Sequence, residues 1–122
     1  MTATSMTALD LLDALVRIDS VNPGLDPAGA GEAQIAAYVA RWGRSAGLRV
    51  DVLEGTTGRP SVIVRGGRGR GGRRLLLCGH LDTVSLAGNP DGLTPREYSS
   101  PGACANGTDV LANAVLRLAG QP

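Results

Sequence analysis

Two residues near the middle of the chain, His80 and Asp82, have types and spacing that suit metal-dependent chemistry. The apolar run Leu75–Cys78 before them predicts a strand buried on both faces, ending at the small residue Gly79. In open α/β sheets, ligands bind at the carboxyl ends of strands. If the strand continues, residues two apart share a face, so the imidazole can bind a metal while the carboxylate fixes its tautomer and orientation.

Taken alone, this pair is a weak signal. A single histidine near a strand end is more often a hydrogen-bonded structural residue than a metal ligand. His80 is the only histidine in the chain, whereas zinc sites take three or four protein ligands. Neither Cys78 nor Cys104 has metal-finger spacing to another cysteine. The function therefore depends on what surrounds the pair.

The elements that must position the pair are predicted to be two helices followed by strands. Apolar residues at helical intervals predict helices near 6–18 and 31–46. From Leu48 the period changes to alternation, and three strands follow, near 48–54, 60–66 and 74–80, the last of them central. This order is typical of part of an α/β sandwich with a mixed sheet.

Composition limits the chain to one ordinary globular domain with a thin core. Its 122 residues include 43% hydrophobic residues but no Phe, and the net charge is only +1. Arg68–Arg74 contains an Arg/Gly run that could bind RNA, but no aromatic residues are interleaved for base stacking, so a solvated turn between strands is favoured. The glycines at 66–71 open no helix, which argues against a Rossmann-like or flavodoxin-like phosphate site. We therefore expect no nucleic-acid partner.

The start of the chain and its cysteines bear on its compartment. Residues 1–16 lack the basic start and continuous apolar run of a secretion signal, and no stretch approaches the roughly 18 apolar residues that span a bilayer. The expectation is a reduced, cytoplasmic protein without a membrane partner.

The stretch Leu75–Pro90, with Gly-His-Leu-Asp-Thr-Val at its centre, resembles the M20 family of zinc metallopeptidases and amidohydrolases. This family includes deacetylases, desuccinylases, aminoacylases and carboxypeptidases. Leu11–Pro23 is similar to the family's first helix and its ending in Asn-Pro, and Arg59–Val64 is similar to a family strand. Gly31-Glu32 before an amphipathic helix also fits, and the resemblance covers roughly residues 8–96.

The resemblance implies a partial zinc-exopeptidase-like catalytic domain, truncated after its amino-terminal part. It implies an enzyme with two zinc ions, or cobalt or manganese in their place, that cleaves an amide bond of N-acyl amino acids, dipeptides or other small peptides. His80 would ligate metal and Asp82 would be the catalytic acidic partner that positions it. In the family a later Asp bridges the metals and a Glu is the general base. A homodimer is expected of a full-length form.

The resemblance fails after about residue 96. Ala105 stands where the family's bridging Asp is expected, and Asp109 lies four residues later. We therefore divide the chain into 1–96, the amino-terminal part of the catalytic domain, and 97–122, a divergent tail. This tail is either a degenerate metal loop or, as we favour, unrelated sequence, and we expect it to pack poorly.

Such a fragment would be inactive as this chain alone, because most metal ligands and the general base are missing from it. The alternative is a non-catalytic binding or structural fragment of the same fold. Zinc binding and hydrolysis assays distinguish the two.

Overall fold

The computed structural model describes residues 6–67 and 74–85. In these ranges the chain forms a small α/β arrangement of two helices and a two-stranded antiparallel sheet. The elements are α1 (Ala8–Val16), α2 (Ala33–Ser45), β1 (Arg49–Thr56) and β2 (Arg59–Arg65). The two predicted helices and the first two predicted strands are confirmed, with boundaries that differ by two residues at most.

Helix α1 begins with a capping box. The Thr7 hydroxyl accepts a hydrogen bond from the Asp10 amide, and the Asp10 carboxylate accepts one from the Thr7 amide at 2.8 Å. Two otherwise unpaired amide groups are satisfied in this way. The acidic side chain also lies where the helix dipole favours negative charge, and its hydrogen bonds to Thr7 lower the pKa of Asp10.

Helix α2 packs against both strands and supplies the core of the described part of the chain. Ile35, Ala36 and Ala40 are buried, and all three lie on the apolar stripe of the helix. Helix and sheet approach each other closely at Gly43, because a Cβ atom there would lie 2.9 Å from Val50 Cγ2. This small-residue face accounts for a thin core built without Phe.

The hairpin of β1 and β2 turns at Thr57 and Gly58. Gly58 has a φ of 75°, a conformation that residues with a Cβ rarely adopt. Pairing runs from Arg49 opposite Arg65 to Thr56 opposite Arg59, with an irregularity between Leu53 and Thr56. The turn therefore places Arg59 at the first position of β2, beside the start of α2.

The predicted central strand at 74–80 is wrong for the structure as described. Residues 74–80 form no strand, and the side chain of Leu76 is 84% exposed. A strand requires a hydrogen-bonded neighbour, and within residues 6–67 and 74–85 the hairpin strands pair only with each other. Among the described residues, parallel pairing is limited to an isolated bridge between Val21 and Thr83, so there the expected mixed sheet is reduced to this bridge and an antiparallel pair.

The remaining predictions concern membrane-spanning segments, the tail and the arginine-glycine turn. No helix in the described part of the chain is both long and apolar enough to cross a membrane. The tail at 97–122, whose poor packing we predict, lies outside the described residues, and so do residues 68–73 of the predicted arginine-glycine turn.

Candidate functional site

A parallel bridge holds the His-Leu-Asp segment against the loop that follows α1. The Asn22 amide donates to the Thr83 carbonyl at 2.9 Å, and the Thr83 amide donates to the Ser20 carbonyl at 3.0 Å. Ser20 is buried, with its hydroxyl 3.4 Å from that of Thr83. The backbone alone thus brings Asn22 beside Asp82, although sixty positions separate them in the chain.

The loop 20–31 is held in place by its own turns. Asn22 Oδ1 accepts from the Gly24 amide at 2.8 Å, the side-chain turn typical of Asn before Pro-Gly. The Gly31 amide closes the loop by donating to the Val21 carbonyl at 3.0 Å, with a φ of 72° that favours glycine. The Asn22 side chain is therefore presented from a defined loop.

His80 is turned toward Asp82 through one ring nitrogen. Its Nδ1 lies 2.8 Å from the Asp82 carbonyl oxygen and 3.1 Å from Asp82 Oδ1, while the side chain as a whole is 84% exposed. Both neighbours are acceptors when the carboxyl is ionised, so a hydrogen on Nδ1 is the arrangement that satisfies both contacts. In the neutral ring, Nε2 then keeps its lone pair, the form that binds a metal.

The Asp82 carboxylate is bound on both oxygens. Oδ1 faces His80, and Oδ2 accepts from Asn22 Nδ2 at 2.8 Å. The hydrogen bond from Asn22 contributes most to lowering the pKa of Asp82, and His80 adds to the effect, whereas desolvation opposes it. Asp82 therefore stays ionised at neutral pH and continues to accept from the imidazole.

Arg59 connects this pair to the start of α2. Its Nη2 lies 2.5 Å from Glu32 Oε1 and 3.8 Å from Asp82 Oδ2, and its Nη1 donates to Asn22 Oδ1 at 3.4 Å. Glu32 is buried, with 8% of its side chain exposed, whereas Arg59 is 36% exposed. Glu32 Oε2 and Arg59 Nε have no hydrogen-bond partner among the described residues.

Five side chains thus form one polar cluster, which we call the Asp82 cluster: His80, Asp82, Asn22, Arg59 and Glu32. Sequence reasoning identified the first two and predicted their contact, which the structure bears out. It included Asn22, Glu32 and Arg59 only within stretches similar to the family and assigned no role to any of them. One signal could have identified these three residues: each is polar and lies in a loop or at the end of a helix or strand.

The cluster fits a metal in one respect. His80 supplies a neutral ring nitrogen, held by an acidic partner, which is the usual arrangement of a zinc-bound histidine. Within residues 6–67 and 74–85, no group of three or more His, Cys, Asp or Glu side chains could enclose an ion. The described residues therefore offer His80 as a candidate ligand without a surrounding group of further ligands.

Three curated proteins, all acetylornithine deacetylases, are similar to this chain. The protein from Vibrio parahaemolyticus is 37% identical over 79 residues, which make up 64% of this chain and 20% of the relative. Those from Vibrio campbellii and Vibrio atlanticus are 36% and 34% identical over 77 residues, 62% of this chain and 20% of each relative. The chain thus spans about one fifth of the length of the relatives that it matches.

Two other comparisons found nothing. No protein-family model matches the sequence, and no solved structure matches the fold.

Proposed function

Because the chain is related by sequence to acetylornithine deacetylases, hydrolases of the M20 type, we propose that it belongs to a metal-dependent hydrolase. The reaction would be cleavage of an amide bond in an N-acyl amino acid, a dipeptide or another small peptide. This chain's part would be to supply His80 as a metal ligand, with Asp82 as the residue that orients it.

The observation that carries the proposal is the hydrogen bond between His80 and Asp82. Asp82 holds the hydrogen on Nδ1, which leaves the Nε2 lone pair free for a metal. The low pKa of the Asp82 carboxyl keeps this acceptor charged across the neutral range. An unconstrained histidine would have to select this tautomer and orientation at the moment of binding.

Zinc suits a neutral imidazole supported by a carboxylate, and cobalt or manganese are proposed as substitutes. When bound, it would polarise the scissile carbonyl and make hydroxide available from water near neutral pH. In this proposal the remaining ligands and the general base lie outside the described residues. His80 is consequently proposed as one member of a set.

The substrate class is proposed from the relatives. They are named for the deacetylation of acetylornithine, which makes N-acetylornithine the first substrate to test. Other N-acyl amino acids and dipeptides form the rest of the panel. Absence of nucleic-acid and membrane partners, a homodimeric full-length form and a cytoplasmic location remain predictions from sequence.

The decisive experiment compares two variants of the protein that carries this sequence, with zinc supplied. His80→Ala should abolish turnover and lower the zinc content measured by mass spectrometry, because the ligand is lost. Arg49→Ala is the control, since Arg49 is exposed and lies at the far end of the hairpin from Arg59. It should change neither quantity.

Normal turnover and zinc content in His80→Ala would contradict the assigned role of His80. A protein with its zinc supplied that hydrolyses nothing in the panel would contradict the catalytic proposal. That outcome would favour the alternative, a non-catalytic binding or structural fragment of the same fold.

A further inference from the structure

We propose that Asn22 and Arg59 are positioning residues for His80, which act through Asp82 and are anchored by the buried Glu32. The proposal rests on the proposed function only where it treats His80 as a metal ligand. In structural terms, contacts from three segments that are distant in sequence select one tautomer of His80.

The first step is the orientation of the Asn22 amide. Its Oδ1 faces two donors, the Gly24 amide at 2.8 Å and Arg59 Nη1 at 3.4 Å. Its Nδ2 faces the Asp82 carboxylate at 2.8 Å. Rotating the amide by half a turn would set its nitrogen against two donors and its oxygen against an anion. Arg59 and Gly24 therefore determine which end of Asn22 meets Asp82.

Asn22 in turn orients the Asp82 carboxylate. Because Asn22 Nδ2 binds Asp82 Oδ2, the other oxygen is directed to His80 Nδ1 at 3.1 Å. Turning the carboxylate away would break both hydrogen bonds. While Asp82 stays in place, a hydrogen on Nδ1 has two acceptors and a lone pair there would face two oxygens. The ring is thus held in the Nδ1–H form.

Arg59 is itself held in place by the buried Glu32. The guanidinium of Arg59 uses two nitrogens at once, Nη1 on Asn22 and Nη2 on Glu32. Glu32 is buried at the start of α2, so this end of the contact is held by the helix that forms the core. A lysine offers one compact charged group in place of the planar fork, so it could keep the ion pair with Glu32 but not both contacts.

The test uses the fact that His80 is the only histidine of the chain. A ¹⁵N-labelled 122-residue chain without metal should give one imidazole spin system in a long-range ¹H–¹⁵N spectrum. At a pH where the ring is neutral, the two ¹⁵N shifts report the tautomer. The wild type should be predominantly Nδ1–H.

Two substitutions should move the ratio toward Nε2–H in a chain whose amide spectrum remains folded. Asn22→Asp keeps the size of the side chain but sets an acceptor against Asp82, and Arg59→Lys keeps the charge beside Glu32 but removes the fork. Arg65→Lys is the matched control, because Arg65 pairs with Asp51 in the strands and has no contact with the Asp82 cluster in the described residues. It should leave both ¹⁵N shifts unchanged.

Wild-type ¹⁵N shifts in folded Asn22→Asp and Arg59→Lys would overturn the proposal, as would a wild type that is predominantly Nε2–H. Zinc affinity of the protein that carries this sequence gives a second readout, and Arg59→Lys should weaken it by about 10-fold or more. A failure of the proposed function can be told apart from a failure of this proposal. In the first case the protein would show no dependence on zinc, while the tautomer result in the metal-free chain would still hold.

Discussion

Replacing Arg59 by alanine should destabilise the fold through the carboxylate that it leaves behind. Glu32 is only 8% exposed and its Oε1 lies 2.5 Å from Arg59 Nη2. Removing one partner of a fully buried ion pair costs roughly 3–5 kcal/mol, chiefly because the other charge stays buried and unpaired. Arg59 is 36% exposed, so water can enter where its side chain was. We therefore expect a smaller loss, about 2 kcal/mol.

The assay is urea unfolding followed by the fluorescence of Trp42, the only tryptophan, which lies in α2. With a slope of about 1 kcal/mol/M for a small protein, the midpoint should fall by about 2 M. Glu32→Gln removes the charge that needs a partner, so Arg59→Ala should cost much less in a Glu32→Gln background. The double-mutant cycle measures this coupling.

The matched control is Arg65→Ala, which removes an ion pair with Asp51 whose side chains are 48% and 54% exposed. Exposed pairs contribute about 0–1 kcal/mol, so the midpoint should move little. An Arg59→Ala variant that is no more destabilised than Arg65→Ala, or that loses the same stability with glutamate and with glutamine at position 32, would contradict the role given to the buried Glu32 charge.

Two further predictions concern the core and the effect of acid. Gly43→Ala gains about 1 kcal/mol of helix propensity but sets a Cβ 2.9 Å from Val50 Cγ2, and overpacking costs about 1–3 kcal/mol. We expect a lower Tm by circular dichroism. In the double variant Gly43→Ala/Val50→Ala, the loss of Tm should be smaller than the sum of the losses in the two single variants. A higher Tm for Gly43→Ala alone would show that the sheet moves to accommodate the added Cβ atom. The pKa of Asp82 is lowered in the folded state, so its contribution is fully present above the unfolded value of 3.8 and is lost as pH falls through the folded pKa. Asp82→Asn should therefore be less stable than wild type at neutral pH and show a flatter loss of stability in acid, and parallel acid-unfolding curves would exclude this contribution.

Local patterns predicted most of the described secondary structure. The helical spacing of apolar residues in α1 and α2 and the alternation in β1 and β2 are short-range, and each element carries its own boundary residues. Thr7 caps the first helix and Gly58 closes the hairpin turn. Such signals need no knowledge of the rest of the chain.

The apolar run Leu75–Cys78 shows the limit of this reasoning. Its composition is typical of a strand covered on both faces, but coverage depends on neighbours that a local pattern does not contain. In the described residues no strand pairs with it, and its side chains are exposed. The composition of a segment indicates which environment would suit it. Whether the segment forms a strand depends on the neighbouring strands that are available to pair with it.

In the candidate site, too, local sequence determined some contacts and tertiary structure determined the others. The contact between His80 and Asp82 spans two residues, so sequence by itself determined that the carboxylate could reach the ring. Asn22, Glu32 and Arg59 come from a loop, a helix start and a hairpin. Only the tertiary structure brought Asn22 and Arg59 to Asp82, and Glu32 to Arg59. The physical reason is that the bridge between Val21 and Thr83 and the packing of α2 on the hairpin are long-range contacts, which no pattern within one segment encodes.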